Sequence, residues 1–374
     1  MGLISVANAS SNKTSFLSSS LFTSFTSSSI TSSSFSSITI SSGIDSKIIG
    51  SSDSFKNVFI DSYEASLPDK ITVFLDSEFC NEYEQVDDKY EYNVNHVNSG
   101  LLIHVPKNLY IEKPLHIFYL QEGYDLVQNT RIVLEENSEL KYFEYIYNEQ
   151  PAHINFVSNS IVRENAKLQY AGISRLGDGS TMDVRRNSYV FRYGKSNYSI
   201  AEVNGGNTDS KTNIFLQEQY ASGTSKTVAI TSNVQTSTFK QVIEHNAPAT
   251  EGFIENYGVA NDRSFLLFEG VGKINKLMKR SVARQSNKGI VLGVDSRLDA
   301  NPLLLIDEFD VEASHGAAIG KIDDDQLYYL MSRGLNIKQA TRLIISGFLS
   351  PVLRVLSTDT LKNDFINRVE QKTA

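Results

Sequence analysis

The sequence predicts a mainly β protein, built as a parallel β-solenoid and ended by a small α-helical domain. Three observations lead there. Short apolar runs with period-two alternation follow one another for roughly two hundred residues from Lys70 onward. The corners between them carry Asn-Ala, Gly-Asp-Gly, Gly-Gly-Asn and Ala-Ser-Gly, which are turn residues but not the Asn-Gly pairs of tight hairpins. About fifty residues at the C-terminal end then switch to helical spacing. Short, evenly spaced strands suit a sandwich, a barrel or a β-helix. The series is too long for a single seven-strand sandwich, which favours stacked coils.

Taken in order, residues 1–54 form a Ser/Thr-rich, low-complexity arm in which Phe16, Phe22, Phe25 and Phe35 are scattered. Its first expectation is a weakly ordered segment; an organelle transit peptide, hydroxyl-rich and poor in acids, is the functional alternative. Residues 55–99 lead into the core. The core spans 100–320, with runs such as Leu101-Leu102-Ile103-His104-Val105, Leu140 to Tyr147 and Ile154 to Val162, continuing to Phe265 to Glu269. A solenoid of this kind leaves strand edges that must be capped or paired with another chain.

Residues 321–374 read as helices. Asp323, Asp324 and Asp325 supply an acidic first turn before Gln326 to Arg333, and Gly334 stops it. Asn336 caps the next helix, Lys338 to Ser346, which Gly347, Phe348 and Pro351 break. A last helix from Thr358 carries Leu361, Phe365 and Val369 on one stripe. Those stripes are expected to pack inward, or else to offer a face to a partner.

Composition excludes several functions. With 43 acidic and 35 basic residues in 374, the net charge is −8, which does not suit a nucleic-acid binder. No apolar run approaches the roughly 20 residues of a membrane span. A single cysteine, Cys80, can form neither an internal disulfide nor an all-cysteine cluster site, and points to a reducing, cytoplasmic compartment unless the arm is a transit peptide. Gly194-Lys195-Ser196 ends like a phosphate loop, but Tyr189 stands where its first glycine must be, so no ATPase is expected. No Gly-x-Ser-x-Gly elbow or His-Glu-x-x-His helix occurs. Of the six histidines, His315 stands out: small residues flank it, and Asp307-Glu308-Phe309-Asp310 lies just upstream. Residue chemistry alone leaves it either a metal ligand or a loop histidine beside a solvated acidic turn.

Arg297-Leu298-Asp299-Ala300-Asn301-Pro302 through Asp307-Glu308-Phe309-Asp310-Val311 to His315-Gly316-Ala317 resembles the hallmark of the SufB/SufD family. Asp325 to Gly334 and Arg342 to Leu349 match its helical region, and Gly100 to Lys107 its lead into the core. Tyr329-Leu330-Met331-Ser332-Arg333-Gly334 and Gly347-Phe348-Leu349 are most like the SufD branch. The resemblance implies a right-handed β-helix acting as a non-catalytic scaffold in iron–sulfur cluster assembly. It further implies pairing with a SufB-like subunit, docking of a SufC-like ATPase, and a transient iron or cluster site at His315, shared with the partner. Many relatives carry a cysteine where Ala313 stands, so the resemblance implies that the partner supplies thiolate. The docking residues implied are Leu327, Tyr328, Leu330, Met331, Arg333, Gly334, Arg342, Gly347 and Phe348. A β-helix polysaccharide lyase using Arg297, Asp307 and Asp310, and a repetitive adhesin, are the competing expectations.

Overall fold

The computed structural model describes residues 87–121, 125–350 and 359–373, together with the backbone of 2–8, 44–49 and 59–64. Strands β1 (Gly2–Asn8), β2 (Ile44–Ile49) and β3 (Phe59–Glu64) precede helix α1 (Asp88–His96). Next come β4 (Ser99–Val105), β5 (Leu115–Gln121), β6 (Asp125–Leu134), β7 (Glu139–Asn148), β8 (His153–Val162) and β9 (Lys167–Leu176). They continue as β10 (Thr181–Val190), β11 (Lys195–Glu202), β12 (Asn207–Leu216), β13 (Ser222–Thr231) and β14 (Thr236–His245). The series closes with β15 (Glu251–Ala260), β16 (Phe265–Ile274), β17 (Val282–Val291), β18 (Arg297–Ile306) and β19 (Glu312–Gly320).

From β4 onward the chain alternates between two parallel sheets. Odd strands run in order from β5 to β19 in one, even strands from β4 to β18 in the other. Glu139 lies beside Lys167 and Lys167 beside Lys195, so one coil takes about 28 residues. This is the parallel β-helix. The remainder of the arm, and the run Ile71 to Leu75, lie outside the described residues, although β1 continues the odd sheet beside β5 and β3 pairs with β4.

Period-two alternation places one set of side chains in the lumen and the other outside. Leu140, Tyr142, Leu168, Tyr170, Leu176 and Tyr198 join the lumenal core. Equivalent positions on successive coils stack: the Tyr142, Tyr170 and Tyr198 rings lie 4.7 and 4.6 Å apart. The corners repeat as well. Asn108, Asn137 and Asn165 adopt φ of 61°, 56° and 56°, a left-handed backbone that Asn tolerates better than most residues. Their side-chain amides form a ladder, Asn137 donating to Asn108 at 3.0 Å and Asn165 to Asn137 at 2.9 Å. On the next two coils the stacked rings of Tyr193 and Tyr220 continue that column.

Among the described residues three helices follow β19: α2 (Asp324–Ser332), α3 (Ile337–Phe348) and α4 (Asp359–Thr373). Asp323 caps α2, and Asn336 with Gln339 forms a full capping box on α3. The expected inward packing is seen for α3 and α4. Ile345, Leu349, Leu361, Phe365 and Val369 lie against Phe143, Tyr145, Ile173, Val203 and Ile230 on the outer face of the odd sheet. Polar anchors fix α4 coil by coil: Asp364 accepts from Tyr145 at 2.7 Å and pairs with Arg175, and Arg368 donates to the Val203 carbonyl at 3.2 Å. The Gly347-Phe348 break is corrected, since α3 runs through both; Phe348 packs edge-on against Tyr257, and that tertiary contact outweighs the glycine.

The lumen also carries charge. Arg186, 1 % exposed, donates to Glu144 at 2.8 Å, and the Tyr170 hydroxyl donates to the same carboxylate at 2.5 Å. Burial opposes the charge on Arg186, but Glu144 beside it outweighs that and holds the guanidinium above its ordinary pKa. Across from it, burial pushes Glu202 up to about 7, against the opposing pull of Arg186 and the hydrogen bond from Ser174. The folded chain therefore retains a proton that the unfolded chain releases near its ordinary pKa. Stability contributed at this site is full at acid pH and declines as pH rises to about 7. Glu202→Gln is expected to remove that decline, gaining about 3 kcal/mol over wild type above pH 7 and little near pH 4.5, in urea unfolding at the two pH values.

Candidate functional site

The solenoid's last coil is where backbone chemistry is left open. β18 and β19 are the terminal strands of the two sheets, and among the described residues neither has a further strand beyond it. Arg297 N–H donates to the Ser264 carbonyl and Asp307 N–H to that of Ile274, so alternate residues from Arg297 face β16. Leu298, Ala300, Pro302, Leu304 and Ile306 consequently present their backbones to the open side, and Pro302 brings no N–H there. On β19, Glu312 N–H donates to Ser281. By the same alternation Ala313, His315, Ala317 and Ile319 face outward along the edge, with donor and acceptor both available.

Every residue of β19 is exposed. Ser314-His315-Gly316 is therefore in a strand, which corrects the reading of His315 as a loop residue. Alanine and glycine give no alternation and have weak strand preference, but pairing to β17 extends them. His315 stands directly beside Gln285 and shares its lumen-side face, so the imidazole sits at the mouth of the solenoid. Gln285 reaches across the lumen from β17 and donates to the Leu303 carbonyl at 2.7 Å, tying the coil beneath β19 to the open strand β18. At the corner before β19, Glu308 accepts from the backbone N–H groups of Phe309 (2.9 Å), Leu277 (3.0 Å) and Asp310 (3.4 Å). Those bonds, that to Phe309 foremost, lower its pKa and hold the turn with the Phe309 ring wholly in solvent.

Among the described residues His315 has no companion ligands. Among the described residues no three His, Cys, Asp or Glu side chains converge on a metal-sized space. Ala313 offers no donor, and Cys80 lies outside the described residues. The other histidines in strands are structural in their contacts: His104 meets Glu135, His153 meets Asp125, and His245 meets Thr250 at 2.7 Å. Burial holds His245 and His116 down to about 4, neutral at physiological pH. The residues of the lyase alternative do not converge: Arg297 pairs with Asp299 on its own strand and stacks on Phe265, away from the acidic turn. Gly194 closes a corner turn and Ser196 is buried in the lumen, so no phosphate cradle exists there.

Three residues after β19, α2 contributes no buried side chain. Tyr328, Tyr329 and Met331 are exposed, Leu327 and Leu330 half-buried, and Arg333 stacks over the Tyr329 ring. Gly334 turns the chain at φ 97°, a backbone suited to glycine. Ile337 and Leu343 extend the apolar surface onto α3, where Arg342 reaches Glu370 of α4 at 3.7 Å. Gly347 is open to solvent and Phe348 is half-buried. The implied docking set thus divides: Tyr328, Met331 and Arg333 are presented outward, whereas Phe348 helps to mount α3 on the solenoid. Residue reading missed the lumenal trio Glu144, Arg186 and Glu202. A charged residue at an inward position of an alternating run, as in Tyr142-Phe143-Glu144-Tyr145-Ile146, is the signal that finds Glu144.

Comparison with known proteins gives the family. A family model described as the SUF system FeS cluster assembly, SufBD core domain, matches residues 118–348. The iron-sulfur cluster assembly protein SufD of Bacillus subtilis is 35% identical over 332 residues, covering 83% of this chain and 76% of that one. Protein ABCI7, chloroplastic, of Arabidopsis thaliana is 25% identical, covering 87% and 71%. An iron-sulfur cluster assembly SufBD family protein of Staphylococcus saprophyticus is 24% identical, covering 78% and 67%. No helix among the described residues is long and apolar enough to cross a membrane. The core match, the identity to SufD and the coiled two-sheet solenoid together make this chain a member of the SufB/SufD family of iron–sulfur cluster assembly proteins, most like SufD.

Proposed function

We propose that the chain is a non-catalytic scaffold subunit of a SufBCD-type complex. Its open coil joins a SufB-like subunit, and its α2–α3 surface receives a SufC-like ATPase. The observation that carries this reading is the wholly exposed strand β19, with four outward backbone positions and His315 among them. A bare strand edge is a template for another chain's strand and a hazard if left uncovered. An incoming strand would lie about 4.8 Å from β19 and bring its own side chains beside His315. Iron or a nascent cluster is then cargo held between subunits: His315 gives one nitrogen, and the partner gives the thiolates. The exposed tyrosines and Met331 of α2 suit a hydrophobic dock rimmed by Arg333. The cytoplasm is the compartment proposed, with a plastid as the alternative if residues 1–54 act as a transit peptide.

The experiment is co-purification with SufB-like and SufC-like partners, comparing wild type with His315→Ala. The complex is expected to assemble equally in both, with iron content in the variant at least about tenfold lower. Equal iron content would remove His315 from the site, and absence of co-elution would remove the scaffold reading.

A further inference from the structure

The lumenal charge cluster is incomplete as the protein alone makes it. Arg186 uses one of its nitrogens on Glu144, yet its Nε and Nη1 have no protein acceptor. Glu202, 3 % exposed, accepts on Oε2 from Ser174 and from Asn204 at 3.1 Å, while its Oε1 has no donor. The Ser158 hydroxyl, strand neighbour of Arg186 on β8 and fully buried, also has no partner. Arg186 and Glu202 lie close enough to act on each other electrostatically. Phe156 and Tyr170, both almost wholly buried, wall the guanidinium at 5.9 and 5.8 Å. Unpartnered polar atoms of Arg186, Ser158 and Glu202 are thus buried in the same stretch of lumen, where each would otherwise bear its full desolvation penalty.

The geometry points to an internal water site: at least one ordered water molecule, bound by Arg186 and Glu202 with Ser158 as third partner, closes this hydrogen-bond network inside the solenoid. Three polar partners are what a buried water requires. An anion fits less well. Glu144 already balances the charge on Arg186, and the same burial that keeps a proton on Glu202 would oppose a further negative charge. Water accepts from the guanidinium and pairs with Oε1 of Glu202 in either protonation state of that carboxyl, whereas an anion can pair with it only when it is protonated. The site lies on coils β7 to β11, far along the solenoid from β19, and is independent of any partner there.

The test is a crystal structure of the full chain at a resolution that places waters, with and without a bromide soak, alongside oxygen-17 relaxation dispersion to count long-lived internal waters. Wild type is expected to show a solvent peak within hydrogen-bond distance of Arg186 and Glu202 and no bromide there. Glu202→Leu is expected to lose the peak and at least one long-lived water; Ser158→Ala, a milder change, is expected to weaken the peak while keeping the fold. A dry chamber in wild type, a bromide peak, or an unchanged water count and peak in both variants would each overturn the assignment.

Discussion

Arg186→Met is expected to destabilise the chain by about 3–5 kcal/mol, the largest effect of any single substitution proposed for the folded subunit. The cause is electrostatic. Glu144 is 1 % exposed, and its counter-charge is the Arg186 guanidinium 2.8 Å away. Removing that guanidinium leaves a carboxylate in the lumen among Tyr142, Tyr170 and Ile200, with only the tyrosine hydroxyl donors to solvate it. Removing both charges is a different matter. The double variant Glu144→Leu/Arg186→Met exchanges an ion pair for apolar groups and is expected to recover most of the loss. Urea midpoints of the four proteins in this cycle check it, and a coupling below about 0.5 kcal/mol would show that the pair does not act as a unit.

Ala317→Pro is expected to leave the subunit folded and to weaken its association with a SufB-like partner by at least about 30-fold, near 2 kcal/mol. The N–H of Ala317 faces the open side of β19, so proline there deletes an outward donor and spares the bonds to β17. Ser314→Pro is the opposite case on the same strand. By register its N–H points to β17, and its loss disturbs the subunit itself. Measured affinity and thermal midpoint separate the two: Ala317→Pro lowers affinity at a near-constant midpoint, and Ser314→Pro lowers both. Affinity unchanged by Ala317→Pro would mean that this edge is not the joining surface.

Much of this was legible in the residues. Asp323 and Asn336 announced the starts of α2 and α3, because short polar side chains at those positions satisfy free N–H groups. The alternating apolar runs gave the coils, and the stripe Leu361, Phe365 and Val369 gave the buried face of α4. What stayed hidden was structure that depends on neighbours in space. β17 carries Arg284, Gln285, Ser286, Asn287 and Lys288 in succession, and β19 is mostly alanine and glycine; both are strands because a preceding coil offers a ladder. Helix α1 was hidden too. It is short and polar, and Tyr90 and Asn93 bury only because the even sheet receives them, with the Asn93 amide donating to the Gln128 carbonyl at 2.9 Å. At the candidate site the motif around His315 was visible, but its placement on an unpaired edge was not.

A scaffold of this kind, with His315 as its one proposed ligand, should be unable to hold an iron–sulfur centre by itself. The decisive measurement is iron and acid-labile sulfide per chain after anaerobic reconstitution, for the purified chain alone and for the chain mixed with the proposed SufB-like subunit. Neither element is expected to stay on the isolated chain, and both are expected to stay on the pair; a stable, stoichiometric centre on the isolated chain would contradict the shared site.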